Sequence, residues 1–402
     1  MKRPYSASDA KPSALFLAPE APYPVIGGGP LRSASLLEYL AQSYTVDVIV
    51  FREPGAPDPV PAFPGGIARR ISVVPLRYHS RSQVSRALRN FRRFLRGAPP
   101  LNDRFSGYDR AIRSALGQNR YALGVVEHFW CACYADALRE ACSRVILDLH
   151  NIESALLKSS ANSSSLPERL LFQRFASAAE SLERRWIPRF DQVLTASADD
   201  ANRVRAFAPK TPPIVYPNAI PLLDRPVVPQ DRSIVFSGNL SYHPNVEAVR
   251  YFYEQIWPAI RHECPDLRWR LIGKNPEGVR GILRNDPRIE VVGPVAEALP
   301  ELARSLVAVV PLRSGSGTRV KILEAWAAGV PVVSTPIGAE GLEACDGAHL
   351  CLASKPDAFA RSVIELVRSE ALRTKLLEAG RALYEARYNW PAVWQRLREA
   401  GL

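Results

Sequence analysis

The chain has 402 residues, of which 47% are hydrophobic and 23% charged, and its formal net charge is +12. This length supplies core for two or three domains and excludes a small scaffold held by disulfides or metals. The composition excludes a disordered or fibrous chain, and no apolar run reaches the ~18 to 20 residues of a membrane-spanning helix. The positive balance favours anionic partners: nucleic acid, an acidic membrane surface or phosphorylated substrates. The first residues, MKRPYSASDAKPS, are polar and lack the apolar centre of a secretory signal. Cys131, Cys133, Cys142, Cys264, Cys345 and Cys351 form no paired framework, which points to a reduced, cytoplasmic protein with small buried thiols.

In chain order, ALFLAP (14–19) predicts a short buried strand. Three glycines, Gly27 to Gly29, follow and lead into a helix with Leu31, Ala34, Leu37, Leu40 and Ala41 at helical spacing. A glycine turn between the first strand and first helix of an open α/β sheet gathers backbone amides where ligands bind. Residues 46–51 and 71–76 predict further strands, separated by a loop rich in proline and glycine.

Residues 77–96 hold seven arginines and no acidic residue, with Leu88, Phe91, Phe94 and Leu95 interleaved at roughly helical spacing. Such a helix can lie on an anionic bilayer, or it can be a solvated cationic face packed by its apolar side. Residues 108–118 then predict a helix, 123–127 a strand, 133–141 a helix and 145–150 (VILDLH) a strongly buried strand. At the end of that last strand stand Asp148, His150, Asn151 and Glu153, on the binding edge of a parallel sheet. Residues 166–189 predict a long helix, 191–197 a strand, and the proline-rich segment 221–232 a linker.

The second half restarts the α/β pattern. Strands are predicted at 233–237, 267–273 and 289–293; Gly238 and Asn239 open the loop GNLSYHPN, and Val246, Val249, Phe252, Ile256 and Ile260 define a core-facing helix. Residues 309–336 read VVPLRSGSGTRVKILEAWAAGVPVVSTP, a strand, a glycine loop around Ser316, a helix closed by Gly329, and a second strand. Glycines allow close approach of a ligand to the backbone, and a helix start presents unpaired N–H groups at a positive dipole end. Gly317 and Thr318 lie at that start, and Arg319 and Lys321 add full charges, so the loop suits a phosphate or diphosphate. Glu324, one turn on, suits sugar hydroxyls.

The run G-x-G-T-R-x-K-I-L-E-A-x-A-x-G-x-P-V-V resembles the nucleotide-sugar signature of the family 4 glycosyltransferases, retaining enzymes of GT-B fold. The resemblance covers essentially the whole chain and is most specific over residues 233 to 342. It implies an α/β architecture of two Rossmann-like domains facing each other across a cleft. Residues 1–220 would bind acceptor, 221–385 would bind the nucleotide sugar, and 386–402 would form a helix crossing back to the first domain. It implies catalytic roles for His150, Arg319 and Lys321. Donor binding would fall to Gly27, Gly28, Gly238, Asn239, Val295, Ser316, Gly317, Thr318 and Glu324, with Val295 in the turn that reads the nucleobase.

No metal or cofactor is expected. The expected partners are a nucleotide-sugar donor and a glycan or lipid-linked acceptor, with an anionic membrane surface reached through residues 77–96 and no nucleic acid. Ser316 stands where many family members have a second glutamate, GNLSYHPN lacks their arginine and lysine, and Ala219 replaces the glycine of a P-N-G hinge turn. A transferase for a small soluble acceptor, or a silent nucleotide-sugar-binding protein, are the competing readings.

Overall fold

The computed structural model describes residues 11–25, 27–80, 82–162, 166–284, 286–314 and 320–402. The chain divides into two compact units, Met1–Val215 and Tyr216–Leu402. The division falls at Tyr216 rather than after Ile220, so the hinge turn and the proline-rich segment belong to the second unit. The C-terminal helix Trp390–Glu399 also belongs there: its Trp390 N–H donates to Ile220 O and its indole Nε1 to Ala219 O.

The first unit is built on a sheet of β1 (Ser13–Ala18), β2 (Thr45–Arg52), β3 (Arg70–Pro75), β4 (Tyr121–Glu127), β5 (Cys142–Leu149), β6 (Gln192–Thr195) and β7 (Pro213–Val215). The spatial order is β3-β2-β1-β4-β5-β6-β7, and every pairing is parallel. In the second unit β8 (Ser233–Ser237), β9 (Arg268–Ile272), β10 (Ile289–Gly293), β11 (Val307–Val310), β12 (Val332–Ser334) and β13 (Cys351–Leu352) pair in parallel in the order β10-β9-β8-β11-β12-β13. Strands covered by helices on both faces must be apolar throughout rather than alternating. That is why ALFLA, VILDL and VAVV are continuous apolar runs or nearly so, and why they are buried. Both expected Rossmann-like α/β units are therefore present.

Several helices were not legible as periodic segments. Glu153–Asn162 packs antiparallel-hairpin fashion with Leu166–Trp186, and Glu370–Arg387 packs on Val320–Ala327. The expected helix from residue 133 begins as a 3₁₀ turn, Phe129–Tyr134, before the α-helix Ala135–Ala141. Among the described residues the cysteines are all free, and no helix is long and apolar enough to cross a membrane.

Candidate active site

Each sheet has one place where the strand order turns back, between β1 and β4 in the first unit and between β8 and β11 in the second. There the connections leave in opposite directions and open a crevice at the carboxyl ends of the strands. The predicted site residues that the structure describes gather largely at these two places.

In the first unit, β4 and β5 pair so that Glu127 lies opposite Asp148. Two carboxylates are thereby delivered side by side with no solvent exposure, an arrangement that requires counter-charges. Arg32, in helix Gly28–Ser43, supplies one: Nε donates to Asp148 Oδ2 at 2.7 Å and Nη2 to Oδ1 at 2.5 Å. His150 supplies the other, with Nε2 2.6 Å from Glu127 Oε2 and 3.4 Å from Asp148 Oδ2. Ser33 Oγ donates to Glu127 Oε2 at 2.8 Å.

The protonation pattern follows from this geometry. Burial alone would raise Asp148, but the Arg32 guanidinium overrides it and holds the carboxyl below its usual range. Burial and then the Asp148 charge push Glu127 up. Burial opposes the charged form of His150, yet Glu127 and Asp148 together raise it above the usual histidine range. The neighbouring His128, its ring centroid 3.5 Å from that of His150, is driven well down by burial and by the His150 charge. The two rings in contact are thus shifted in opposite directions, His150 up and His128 down. His128 sits at φ 61°, a left-handed backbone uncommon outside glycine. Its Nε2 and Glu127 Oε1 are buried with no hydrogen-bond partner among the described residues, so this pocket edge holds acceptor and donor capacity that the fold leaves unused.

Gly27 and Gly28 open the helix that carries Arg32 and Ser33, and Gly27 adopts φ 104° as its N-cap. A Cβ at the following Gly29 would stand 3.6 Å from Glu20 Oε1 and 3.8 Å from His128 Nε2. The glycine turn is thereby brought beside the histidine pair. Glu127, Asp148 and His150 present ligand atoms within 4.8 Å of one another, a spacing that a metal ion would accept. Arg32 already engages both Asp148 oxygens, however, and His150 Nε2 faces Glu127, so these atoms are committed to one another as a charge network.

In the second unit three glycines lie at the ends of adjacent strands: Gly238 after β8, Gly273 after β9 and Gly293 closing β10. Gly238 N donates to Ile272 O and Gly273 N to Gly293 O. At φ 150°, Gly273 would place a Cβ 1.7 Å from Gly238 O, so no side chain fits there. Lys321, from helix Val320–Ala327 after β11, reaches this edge. Its Nζ donates to Asn245 Oδ1 at 2.8 Å and lies 4.4 Å from the centroid of the Phe236 ring. A Cβ on Gly238 would stand 3.3 Å from that Nζ.

Asn239 orders the loop beyond. Its Oδ1 accepts from Ser241 N, Ser241 Oγ and Asn275 Nδ2, and its carbonyl accepts from Asn245 Nδ2 at 2.9 Å. Glu324 is half-buried, and burial pushes its carboxyl up to about 7, with Lys321 pulling the other way. Val295 is half-buried in the loop after β10. Ser316, Gly317, Thr318 and Arg319 lie outside the described residues.

Of the residues expected from the sequence, Gly238, Asn239 and Lys321 meet at this edge. Asn245, which holds the lysine, and Arg32, Ser33, Glu127 and His128 in the first unit are not among those expected. A signal exists for Glu127: it is the one charged residue of β4 and stands at its carboxyl end.

A second carboxylate pair lies behind this network. Glu153 accepts from Trp130 Nε1 at 2.9 Å, and Glu183 from Ser154 N and Oγ. Burial raises Glu153 to about 7 and Glu183 to about 6. Both folded-state values lie above the unfolded ones, so their contribution to stability is full below pH ~4.5 and is lost as pH rises through 6 to 7. Glu153→Gln is expected to remove the larger part of that slope and to stabilise the protein by about 3 kcal/mol at pH 8 relative to its effect at pH 4.5. Urea unfolding of wild type and variant across pH 4.5–8 checks this, and parallel curves would refute it.

Comparison with known proteins gives this geometry a setting. Residues 231–369 match the family model described as glycosyl transferases group 1. The second unit carries a glycosyltransferase group 1 domain. A curated relative from Klebsiella pneumoniae, an uncharacterized 44.6 kDa protein in the cps region, is 23% identical over 230 residues, 54% of this chain and 58% of that protein. The match thus spans little more than half of either.

Among solved structures, sucrose-phosphate synthase from Thermosynechococcus elongatus is similar with a TM-score of 0.71 at 19% identity, over 97% of this chain and 98% of that one. Anabaena HepE, solved with UDP and glucose, gives 0.63 at 15% identity over 97% and 99%. At these identities the likeness is one of fold: two parallel-sheet Rossmann-like units, the GT-B fold of these structures.

Proposed function

We propose that the protein is a retaining, metal-independent glycosyltransferase of family 4, a hexosyltransferase acting in cell-surface polysaccharide assembly. It would move a sugar from a nucleotide diphosphate sugar to a glycan or lipid-linked acceptor. The observation that carries this reading is Lys321, held by Asn245 and Phe236 against the glycine-lined edge of β8 in the domain that matches the glycosyltransferase model. Transfer breaks the bond between the anomeric carbon and the diphosphate, which takes the electron pair, while the acceptor oxygen bonds that carbon and passes its proton to the departing diphosphate. A fixed ammonium beside the leaving oxygens stabilises the charge as it develops.

In this reading Arg319, Thr318, Gly317 and Ser316 complete the phosphate site with Gly238 and Asn239. Glu324 holds the ribose and Val295 lies at the base. Gly27, Gly28 and His150 of the acceptor-binding first unit serve the sugar. The cps-region relative supports a polysaccharide context.

The test is nucleotide release from UDP-, GDP-, ADP- and TDP-sugars. Slow hydrolysis of one donor, lost in Glu324→Ala, is the expected result; no turnover and no binding of any donor would remove the reading.

The basic helix bears on where the enzyme works. Helix Gln83–Arg96 leaves Val84, Leu88, Phe91 and Leu95 exposed at 79%, 50%, 59% and 62%, positions that fall on one helical stripe. Phe94 is half-buried and Arg93 is paired inward with Asp103, whereas Arg86, Arg92 and Arg96 are exposed. Of the two forms open to this segment, the exposed stripe favours the one that lies on an anionic membrane face, at the inner surface of the cell. Co-sedimentation with phosphatidylglycerol vesicles is expected, weakening as salt rises and falling several-fold in Leu88→Ser/Phe91→Ser. Equal recovery with neutral and anionic vesicles would count against it.

A further inference from the structure

A cavity of about 770 Å³ opens in the first unit at the carboxyl ends of β1, β2 and β3. Its volume is that of a site for a drug-sized ligand. Phe51 and Leu76, at the ends of β2 and β3, form its inner wall with Phe105 and Trp130, and a proline-rich segment, 57–61, lies across it. Most of its polar groups are already engaged within the protein. Tyr23 Oη donates to Glu38, Glu53 accepts from Arg104 Nε and Nη2, and Asp58 Oδ1 accepts from Val60 N. A free sugar, which needs hydrogen bonds around its whole rim, would find few here. An apolar group would lose little and gain burial.

The cavity is also joined to the charge network. Phe105 stacks on Trp130 with centroids 5.7 Å apart, Trp130 on His128 at 4.2 Å, and His128 contacts His150 at 3.5 Å. This row of rings runs from the cavity wall to the histidine at the crevice. On the other side, Leu101 lines the cavity and is 42% exposed. It belongs to helix Pro100–Phe105, which Asp103 ties to Arg93 of the basic helix at 2.7 Å. Helix Pro100–Phe105 therefore joins the cavity wall to the basic helix through this ion pair.

We infer that this cavity binds the apolar aglycone of the acceptor, so that the enzyme acts on an amphipathic glycoside of the lipid-linked kind rather than on a free sugar. The inference rests on the glycosyltransferase reading for its reaction but not for its binding. Butyl, hexyl and octyl β-D-glucopyranosides, below their micellar concentrations, are the probes, with free glucose beside them. Binding to the whole protein without donor is followed by calorimetry.

Affinity is expected to tighten with chain length, by up to about fourfold per buried methylene. Ala62→Trp, at the exposed rim, and Leu101→Glu are each expected to abolish that dependence, whereas Leu88→Ser/Phe91→Ser keeps it. Affinity independent of chain length would overturn the inference while donor hydrolysis left the transferase reading standing. Loss of the dependence in Leu88→Ser/Phe91→Ser but not in Ala62→Trp or Leu101→Glu would also overturn it, placing the alkyl chain on the helix. Chain-length dependence with neither turnover nor binding of any donor would keep the site and remove the transferase.

Discussion

Lys321→Ala is expected to lower kcat about 10²- to 10³-fold with a smaller change in donor KM. The reason is preorganisation. The ammonium is already oriented by Asn245 Oδ1 at 2.8 Å and by the Phe236 ring at 4.4 Å, so in the proposed reaction little reorganisation would accompany the growth of charge on the leaving diphosphate. An interaction that strengthens only as the bond breaks acts on kcat. Lys321→Met, which keeps the aliphatic stem against Phe236, is expected to lose as much activity as the alanine variant, because the charge and not the packing is responsible. Asn245→Leu keeps the lysine but removes one of the contacts that orient it, and a loss of about tenfold is expected. Single-turnover assays on the preferred donor check all three. Activity within about threefold of wild type in Lys321→Ala would remove the lysine from the reaction.

Arg32→Met is expected to be the most destabilising single change in the first unit, by about 3 to 5 kcal/mol near neutral pH. It leaves Asp148 fully buried beside Glu127 with only His150 to balance two carboxylates. The pH dependence distinguishes this cause from lost packing. In wild type the Asp148 value is held down, so the stability it contributes is present above pH ~4 and lost as pH falls through the folded value. Without the guanidinium, burial raises Asp148, and the cost grows as pH rises from the unfolded value through the new folded one. The deficit of the variant should therefore be largest near pH 8 and shrink toward pH 4. Arg32→Met/Asp148→Leu should recover a large part of it. A deficit that is constant with pH in urea unfolding would assign the loss to packing alone.

Much of the architecture was readable because parallel strands covered on both faces must be apolar from end to end. The predicted strands 233–237 and 289–293 have the bounds of β8 and β10 for that reason. Where burial and periodicity part company the pattern is silent. Glu153–Asn162 packs in a helix pair and buries Glu153 and Ser154 at its start, so no apolar stripe announces it.

The candidate site divides along the same line. Gly238, Asn239 and Lys321 stand near sharp local signals, glycines next to strand ends and a cation in a helix's first turn, and these depend only on neighbours in sequence. Glu127, Asp148, Arg32 and His150 owe their meaning to the register of β4 against β5 and to a helix from 116 residues away, since the Arg32–Asp148 pair closes that separation. Charge is a property of a residue, but a raised or lowered pKa belongs to a neighbourhood. Only the folded chain sets two carboxylates face to face, supplies one arginine and one histidine to them, and rests that histidine against a second one. The aromatic cavity is of the same kind. Its walls come from the ends of separate strands and from segments around residues 20, 57 and 105, and no window of the sequence contains them together.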